Sequence, residues 1–556
     1  MSFSTPGLLK RKRQSAVLVE TQCRLGYSAK IFTRPPRPKF VDRSLTPSNL
    51  TLSSLETAIL DRNSEYLGVS TLQLMENAGR SIADEISARF GAGSSVAIYS
   101  GTGRNGGDGM VVARHLAERD FSVKTKLIGN GRSITDPIVL QNWLALKSMS
   151  TSVKLEECRD SSSVSESASD VVVDAVLGTG VKGKLRQPIL RAVEAINASR
   201  GFKLAVDVPT GIDSDTGEVL GEAVRANLTI TLHAMKTGLL KAKEFCGEIK
   251  VVGIGIPPEA SIFAGPGDVD AVRVQRLPES HKGQFGRLLV VGGSEIFSGA
   301  PSLAALAAYR AGTDLVFVAA PEKTAQSISA MSPNLITIKL PGDNFAPTHI
   351  RLLRDQIVNA STVVLGPGLG MSSKTIAAIR RIIPIIRHYR KPLLLDADGL
   401  KALGVVKKRI FDKSVVLTPH PGEFQAVSHK VPSRDMEVRS SEVKAFAESV
   451  GAIVLLKGHT DVISDGEHLK LNNTGNPGMT VGGTGDILSG IVAGLMAQGV
   501  DSFRAAVAGA FICGAAGDLA NEQYGYHLVP TDLLEYIPKI MNDAMCHRAI
   551  QQKRLQ

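Results

Sequence analysis

The run Gly482-Gly483-Thr484-Gly485-Asp486 stands directly before Ile487-Leu488-Ser489-Gly490-Ile491-Val492-Ala493-Gly494-Leu495, whose apolar spacing is that of a buried helix. Glycines ahead of a helix let backbone N–H groups converge on one point without Cβ obstruction. The helix amino end adds partial positive charge, and the two together make an anion site. Asp486 falls at that helix start. An aspartate there can simply cap the helix, a role worth about 1 kcal/mol. Capping alone does not require so many small residues ahead of it. A carboxylate beside a phosphate cradle is unfavourable unless it takes a proton from an attacking hydroxyl. Asp486 is therefore a candidate catalytic base for phosphoryl transfer.

A second glycine-rich run, Ser100-Gly101-Thr102-Gly103-Arg104-Asn105-Gly106-Gly107-Asp108-Gly109, follows an apolar segment and precedes a helical stretch from Met110 to Arg119. Such a junction suits a phosphate or dinucleotide. It is not the usual GxGxxG fingerprint and has no Walker lysine, so alone it supports only a ligand-binding, Rossmann-like domain. Two more apolar runs carry carboxylates at their ends, Val173-Asp174-Ala175-Val176-Leu177-Gly178-Thr179-Gly180 and Ala205-Val206-Asp207-Val208-Pro209-Thr210-Gly211. A buried, unpaired carboxylate is costly. Asp174 and Asp207 either cap the next turn or, with an asparagine amide, hold a monovalent cation or do acid/base work.

These residues need strands and helices to position them. Helical periodicity runs from Ser53 to Phe90. Apolar strands are predicted at Ser95–Ser100, Val123–Ile128, Val171–Val176, Leu204–Val208, Leu228–Leu232 and Ile249–Val252. Several are hydrophobic at successive positions, as strands buried on both faces of a parallel sheet are. A Pro/Gly-rich connector from about Gly253 to Pro278 reads as a domain boundary. A second series follows, with strands at Arg287–Val291, Asp314–Ala319, Thr362–Leu365, Pro392–Asp396, Ser414–Leu417 and Ala452–Lys457. The fold class is thus α/β, in two different domains. Four glycine- or acid-containing segments end strands of the second series. They are Gly366-Pro367-Gly368-Leu369-Gly370, Asp396-Ala397-Asp398-Gly399, Thr418-Pro419-His420-Pro421-Gly422-Glu423 and Lys457-Gly458-His459-Thr460-Asp461. Ligands of open α/β sheets bind at those carboxyl ends.

Composition narrows the partners. Of the formal charge of +11, residues 1–50 carry +8, leaving a nearly neutral body of +3. A nucleic-acid partner is not expected. The five cysteines, Cys23, Cys158, Cys246, Cys513 and Cys546, form no CxxC pair or Cys/His cluster, which fits a reducing compartment. No apolar run approaches the roughly 18 to 20 residues that span a bilayer, so no membrane partner is expected. The basic segment 1–50 reads as a disordered extension and the location as cytoplasmic; the alternative is a transit peptide and an organelle. A homo-oligomer is expected.

The ordered set Gly299-Ala300-Pro301, GPGLG, DADG, LTPHPGE, LLKG and NPGMTVGGTGD resembles the ADP/ATP-dependent NAD(P)H-hydrate dehydratase family, a branch of the ribokinase-like fold, over residues 276–545. The resemblance implies that Lys457, Gly458, His459, Thr460, Asp461 and Gly485 contact the adenine nucleotide. It also implies that Ala300, Gly370, His420 and Asp486 contact the hydrated dinucleotide, with Mg²⁺ assisting. The NPGM…GGTGD form is closer to prokaryotic, ADP-using members than to ATP-using eukaryotic ones. The glycine loop and the two strand ends, with Glu76-Asn77-Ala78-Gly79, resemble the NAD(P)H-hydrate epimerase family over residues 51–265. That likeness implies substrate contacts from Arg104, Asn105, Gly106, Gly107, Asp108, Asp207 and the run Gly178, Thr179, Gly180, Val181, Lys182, Gly183, Lys184. It implies K⁺ on Asn105, Asp174 and Thr210, and proton transfer by Asp207. The family often has asparagine where Arg104 stands, which puts that contact in doubt. Together the resemblances imply a fused pair of activities on NADH and NADPH hydrates, with ADP or ATP as co-substrate. From the motif chemistry alone, a small-molecule kinase joined to a Rossmann-like binding module shares the same loop and aspartate. A partner-binding, non-catalytic N-terminal half is a further alternative.

Overall fold

The computed structural model describes residues 51–406 and 408–556. The basic segment 1–50, and the choice between extension and transit peptide, lie outside the described residues. The chain opens with two helices, α1 (Ser54–Tyr66) and α2 (Thr71–Arg89), in place of the single periodic stretch expected there. Ser53 and Ser70 each cap their helix in a reciprocal capping box, with Glu56 and Gln73 respectively.

Seven parallel strands follow: β1 (Ser95–Ser100), β2 (Ser122–Ile128), β3 (Val153–Cys158), β4 (Val171–Ala175), β5 (Phe202–Val206), β6 (Leu228–Leu232) and β7 (Glu248–Val252). Their order across the sheet is β3-β2-β1-β4-β5-β6-β7. The order reverses between β1 and β4, which opens a crevice at their carboxyl ends. Helix α3 (Arg104–Glu118) leaves β1 there. The strands alternate between two buried faces: Val96, Ile98, Val171 and Val173 join one core cluster, and Ala97, Tyr99 and Val172 another. Both faces being covered explains why these segments are apolar at successive positions, as in residues 96–98 and 171–173.

The connector is structured. Ala264 donates its N–H to Leu471 O at 2.7 Å, and helix α4 (Pro266–Val272) packs on α1, where Asn63 bonds both Gly267 N (2.8 Å) and Asp268 Oδ2 (2.9 Å). Tyr66, Ala264, Val269 and Val272 belong to the same hydrophobic cluster as the C-terminal strands. So α1 contributes to clusters of both halves, Tyr66 to this one and Leu60 to one with Ala234, whereas α4 joins the C-terminal core.

The second sheet contains β8 (Arg287–Val291), β9 (Leu315–Pro321), β10 (Ile336–Leu340), β11 (Thr362–Leu365), β12 (Leu393–Leu395), β13 (Val415–Leu417), β14 (Ile453–Leu456), β15 (Asp461–Ser464) and β16 (Leu469–Asn472). The order is β10-β9-β8-β11-β12-β13-β14-β15-β16, parallel up to β14 and antiparallel beyond it. Successive residues again face opposite cores, Leu288 and Val290 one way and Leu289 and Val291 the other. On one face lie α5 (Gly299–Arg310), α6 (Thr484–Ala497) and α7 (Ser502–Tyr524). Helices α5 and α6 touch almost backbone to backbone: a Cβ at Gly490 would lie 2.1 Å from Ala304 O.

Contrary to the sequence reading, α7 with its following turn is long and apolar enough by composition to cross a bilayer. Yet 83% of its apolar window is buried inside the protein, the pattern of a core helix. Its apolar character is carried by alanine and glycine interspersed with polar residues, which an uninterrupted-run criterion overlooks. The α5–α6 contact has a direct test. Gly490→Ala must push the helices apart and is expected to destabilise the protein by about 1–3 kcal/mol, read as a lowered thermal midpoint by circular dichroism.

Candidate functional site

In the C-terminal half the sheet delivers polar groups from three neighbouring strand ends. Asp396 follows β12, Glu423 lies just beyond β13, and Lys457 follows β14. Lys457 Nζ stands 3.0 Å from Asp396 Oδ1 and 4.0 Å from Glu423 Oε2. The other Asp396 oxygen accepts the Ser489 hydroxyl of α6 at 2.6 Å. Burial disfavours the Lys457 charge, but Asp396 and then Glu423 outweigh it and raise the ammonium above its usual range.

Helix α6 begins above this pair. Gly483 is its N-cap at φ +111°, a left-handed conformation that favours glycine. The first three helix N–H groups, those of Thr484, Gly485 and Asp486, have no partner within the helix. Asp486 is the third residue of the first turn rather than the cap. Burial, and next the charge of Asp396, push its carboxyl up to about 7 against the opposing pull of Lys457. It can therefore exchange a proton near neutrality. Because this pKa lies above the unfolded value of 3.8, its contribution to stability is present below that value and is lost as pH rises towards 7.

Beside α6 a cavity of about 410 Å³ is lined by Lys457, Gly458, His459, Asp461 and Gly485. Five of the six residues expected to contact a nucleotide thus share one wall. Thr460 does not line it, and its hydroxyl donates to Asn473 instead at 2.8 Å. Asp461 holds the loop by accepting Gly458 N (2.9 Å) and the Asn472 amide (3.0 Å), and burial raises its carboxyl to about 6. Ala300, Gly370, His420 and Asp486 do not line this cavity. Gly370 N donates to Asp398 Oδ2 at 2.9 Å, and half-exposed His420 caps the helix Pro421–Ser428 and reaches Glu423 at 3.3 Å. Ala300 lies in the first turn of α5. The opposite wall of the cavity, including Thr474, Gly475, Asn476 and Met479, went unassigned in the sequence reading, although the NPGM motif that carries part of it was visible.

In the N-terminal half a cavity of about 890 Å³ opens at the β1/β4 crevice. Helix α3 starts at Arg104, earlier than the expected Met110, so the glycines lie inside its first turns. Packing is the reason: a Cβ at Gly106 would lie 1.9 Å from Gly101 O, and at Gly109 2.6 Å from Ala175 Cβ. The glycines let the helix seat on the strand ends and point its first N–H groups into the crevice region. Arg104, Asn105, Asp108, Gly178, Thr179, Gly180, Val181, Lys182 and Asp207 line the cavity; Gly106, Gly107, Gly183 and Lys184 do not. Lys182 is held by Asp213 (3.2 Å) and Asp215 (2.9 Å), and Arg104 by Asp136 (3.0 Å).

Asp207 follows β5 at φ +64°, a strained backbone for a non-glycine residue of the kind found at functional sites. Its Oδ1 accepts Leu232 N (3.0 Å) and the Thr231 hydroxyl (3.3 Å) and pairs with buried Lys236 (2.6 Å). Two lining residues, Lys236 and Asp61 of α1, were missed in the sequence. Burial raises Asp61 to about 6, with Arg104 opposing and Asp207 reinforcing that rise. Asp108 is likewise raised by burial.

Of the three residues expected to hold a cation, Asp174 and Thr210 are bonded to each other, and Asn105 lies beside Gly178. Asp174 Oδ2 accepts Thr210 N (2.7 Å), and its Oδ1 accepts the Thr210 hydroxyl (2.6 Å). The Asn105 amide is buried with its Nδ2 unpartnered. Exchanging the amide nitrogen and oxygen puts an oxygen at that orphaned position. Carboxylate, hydroxyl and amide oxygens are the donors a hard cation takes.

The fold and sites define a two-part α/β enzyme in which glycine-rich helix starts and buried aspartates meet at the strand ends of each half. Residues 288–539 match the family model described as NAD(P)H-hydrate dehydratase, and residues 71–238 that of the YjeF-related protein N-terminus. The bifunctional NAD(P)H-hydrate repair enzyme Nnr of Hyperthermus butylicus is 43% identical over 497 residues, covering 88% of this chain and 92% of its own. That of Methanothermobacter thermautotrophicus is 42% identical over 505 residues, covering 90% and 96%. Among solved structures, the ADP/ATP-dependent NAD(P)H-hydrate dehydratase of Bacillus subtilis, co-crystallised with ATP/Mg²⁺, is 26% identical over 51% of this chain and 98% of its own, with a TM-score of 0.44. The chain belongs to the family of bifunctional NAD(P)H-hydrate repair enzymes.

Lys236 tests the N-terminal geometry. Lys236→Met leaves the Asp207 carboxylate without its buried counter-charge. The variant is expected to lose about 3–5 kcal/mol of stability, measured by urea unfolding against the parent chain.

Proposed function

We propose that this protein repairs hydrated nicotinamide dinucleotides. The N-terminal half interconverts the R and S hydrates of NADH and NADPH. The C-terminal half dehydrates the S form at the expense of ADP or ATP, releasing phosphate and AMP or ADP. The observation that carries the reading is Asp486, poised near neutrality in the first turn of α6, beside Lys457 and unpaired backbone amides.

The chemistry follows from the leaving group. Hydroxide departs poorly from the reduced, hydrated ring, whereas phosphate departs well. Asp486 takes the proton of the ring hydroxyl, and the freed oxygen attacks the terminal phosphoryl of the nucleotide, breaking the phosphoanhydride bond. The carbon–oxygen bond then breaks as phosphate leaves, a proton is lost from the neighbouring carbon, and the ring double bond is restored. Lys457 and the amides of Thr484 and Gly485 balance the phosphate charge. A divalent cation such as Mg²⁺ supplies further charge neutralisation when bound with the nucleotide. Among the described residues the one cluster of three metal-type side chains is Asp465, Glu467 and His468, where Lys413 already pairs with both acids. It lies in the β15–β16 turn, outside the lining of the nucleotide cavity. That cluster is therefore not a cage for a nucleotide-bound Mg²⁺.

In the N-terminal half Asp207 carries the proton transfer. Asn105, Asp174 and Thr210 would hold K⁺, which would supply a fixed positive charge there. The same proposal includes the division into domains at 51–265 and 276–545, a homo-oligomer and a cytoplasmic location.

The test is full-length protein with hydrated NADH of known epimer composition, supplied with ADP or ATP. Recovery of NADH absorbance is expected; accumulation of a stable phosphorylated product instead would mark a kinase. Asp486→Asn is expected to slow recovery by about 10²–10⁴-fold. Since the base acts deprotonated, kcat/KM of the parent should climb as pH rises and level off above about 7. Without nucleotide, separated R and S hydrates should equilibrate. Asp207→Asn should slow that equilibration by about 10²-fold or more while the S hydrate is still dehydrated.

A further inference from the structure

A fully buried polar chain joins the two halves and ends on the nucleotide cavity. Tyr66, the last residue of α1, places its hydroxyl 2.7 Å from His547 Nδ1. His547 Nε2 lies 2.9 Å from Asp518 Oδ2 on α7, and neither of those side chains is exposed to solvent. Asp518 in turn accepts Gly475 N on Oδ2 and the Asn476 side-chain amide on Oδ1, both at 2.9 Å. Arg554 also pairs with Asp518. Gly475 and Asn476 line the 410 Å³ cavity together with Lys457.

The chain has a direction. Burial alone would raise the Asp518 carboxyl, but the bonds from His547, Asn476 and Gly475 hold it below the usual range, so it is an ionised acceptor. His547 therefore donates to it through Nε2–H, and its other ring nitrogen, Nδ1, shares a hydrogen bond with the Tyr66 hydroxyl. The tyrosine ring is held edge-on to Phe511 of α7, with centroids 5.8 Å apart. The cavity loop lies directly on α7, since a Cβ at Gly514 would meet Thr474 Oγ1 at 2.2 Å and one at Gly517 would meet Met479 Sδ at 2.2 Å. Removing the Tyr66 hydroxyl leaves a buried ring nitrogen unpartnered. The imidazole is then free to rotate, which loosens its bond to Asp518 and with it the carboxylate's hold on Gly475 and Asn476.

We propose that Tyr66, His547 and Asp518 are positioning residues for the nucleotide pocket, so that the N-terminal half sets the affinity of the C-terminal half for its nucleotide. Tyr66 acts from a helix that also presents Asp61 to the other cavity. The proposal rests on the reading that the 410 Å³ cavity takes the adenine nucleotide.

Calorimetric titration of ADP and of ATP into full-length parent and Tyr66→Phe tests it, at a temperature where both are folded. The variant keeps the ring and its packing. It should bind roughly tenfold more weakly and show the same rise in nucleotide KM with kcat retained. Asp518→Asn should weaken binding as well, and the double variant should fall short of the product of the two effects. A Tyr66→Phe protein that binds like the parent overturns the proposal, as does one that loses kcat with no change in nucleotide affinity. Should Asp518→Asn fail to fold, the Tyr66→Phe titration decides alone. A parent chain that binds neither ADP nor ATP removes the cavity assignment and the proposal with it, which separates that failure from the others.

Discussion

The ion pair between Lys457 and Asp396 determines how charge is distributed over the C-terminal site. One ammonium faces Asp396 at 3.0 Å and Glu423 at 4.0 Å, and Asp398 and Asp486 add further negative charge nearby. A single cation in a poorly solvated space cannot keep several carboxylates ionised. The group that gives way is Asp486, which holds its proton until about pH 7. Asp396, by contrast, has both the Lys457 ammonium and the Ser489 hydroxyl as hydrogen-bond donors. The same lysine thus supports a phosphate site and leaves a proton acceptor beside it in two protonation states of similar free energy.

The N-terminal half uses the same economy of charge in a different geometry. There the buried lysine, Lys236, is spent on Asp207, and the acids left without a close cation, Asp61 and Asp108, are pushed towards their neutral forms by burial. Each site therefore combines one fixed ion pair with one or more carboxyls able to change protonation near neutrality. Glycine makes both possible. At Gly106, Gly109 and Gly490 the helices that carry the cradles approach neighbouring backbone more closely than any side chain would allow.

Much of this was legible in the residue order because chemistry and folding share the same positions. Strands such as β1, β4, β8 and β11 carry runs of successive apolar residues, and the glycines and acids that end them stand out against that background. Strands with an exposed face or an edge position were not legible. The segment of β3 reads Val-Lys-Leu-Glu-Glu-Cys, and β10, β15 and β16 also lie at or near a sheet margin, where polar alternation imitates loop. The start of α3 was misplaced because glycine is a poor helix former in isolation, and only the contacts with Gly101 and Ala175 explain it there. Asp61 and Lys236 were missed for another reason. They reach the cavity from segments distant from any glycine motif, and only tertiary packing brings them to Asp207.

Helix α7 carries a consequence for biosynthesis. During translation its alanine- and glycine-rich stretch emerges before the rest of the C-terminal helices can cover it, and its composition alone would satisfy an insertion apparatus. Asp518 sits towards the carboxyl end of that helix, and a charged aspartate within a membrane helix is unfavourable, by about 2.5–3.5 kcal/mol at the centre on insertion scales. The carboxylate that anchors a loop in the folded protein thus also makes the same segment a poorer match to lipid than its alanines and glycines alone would be.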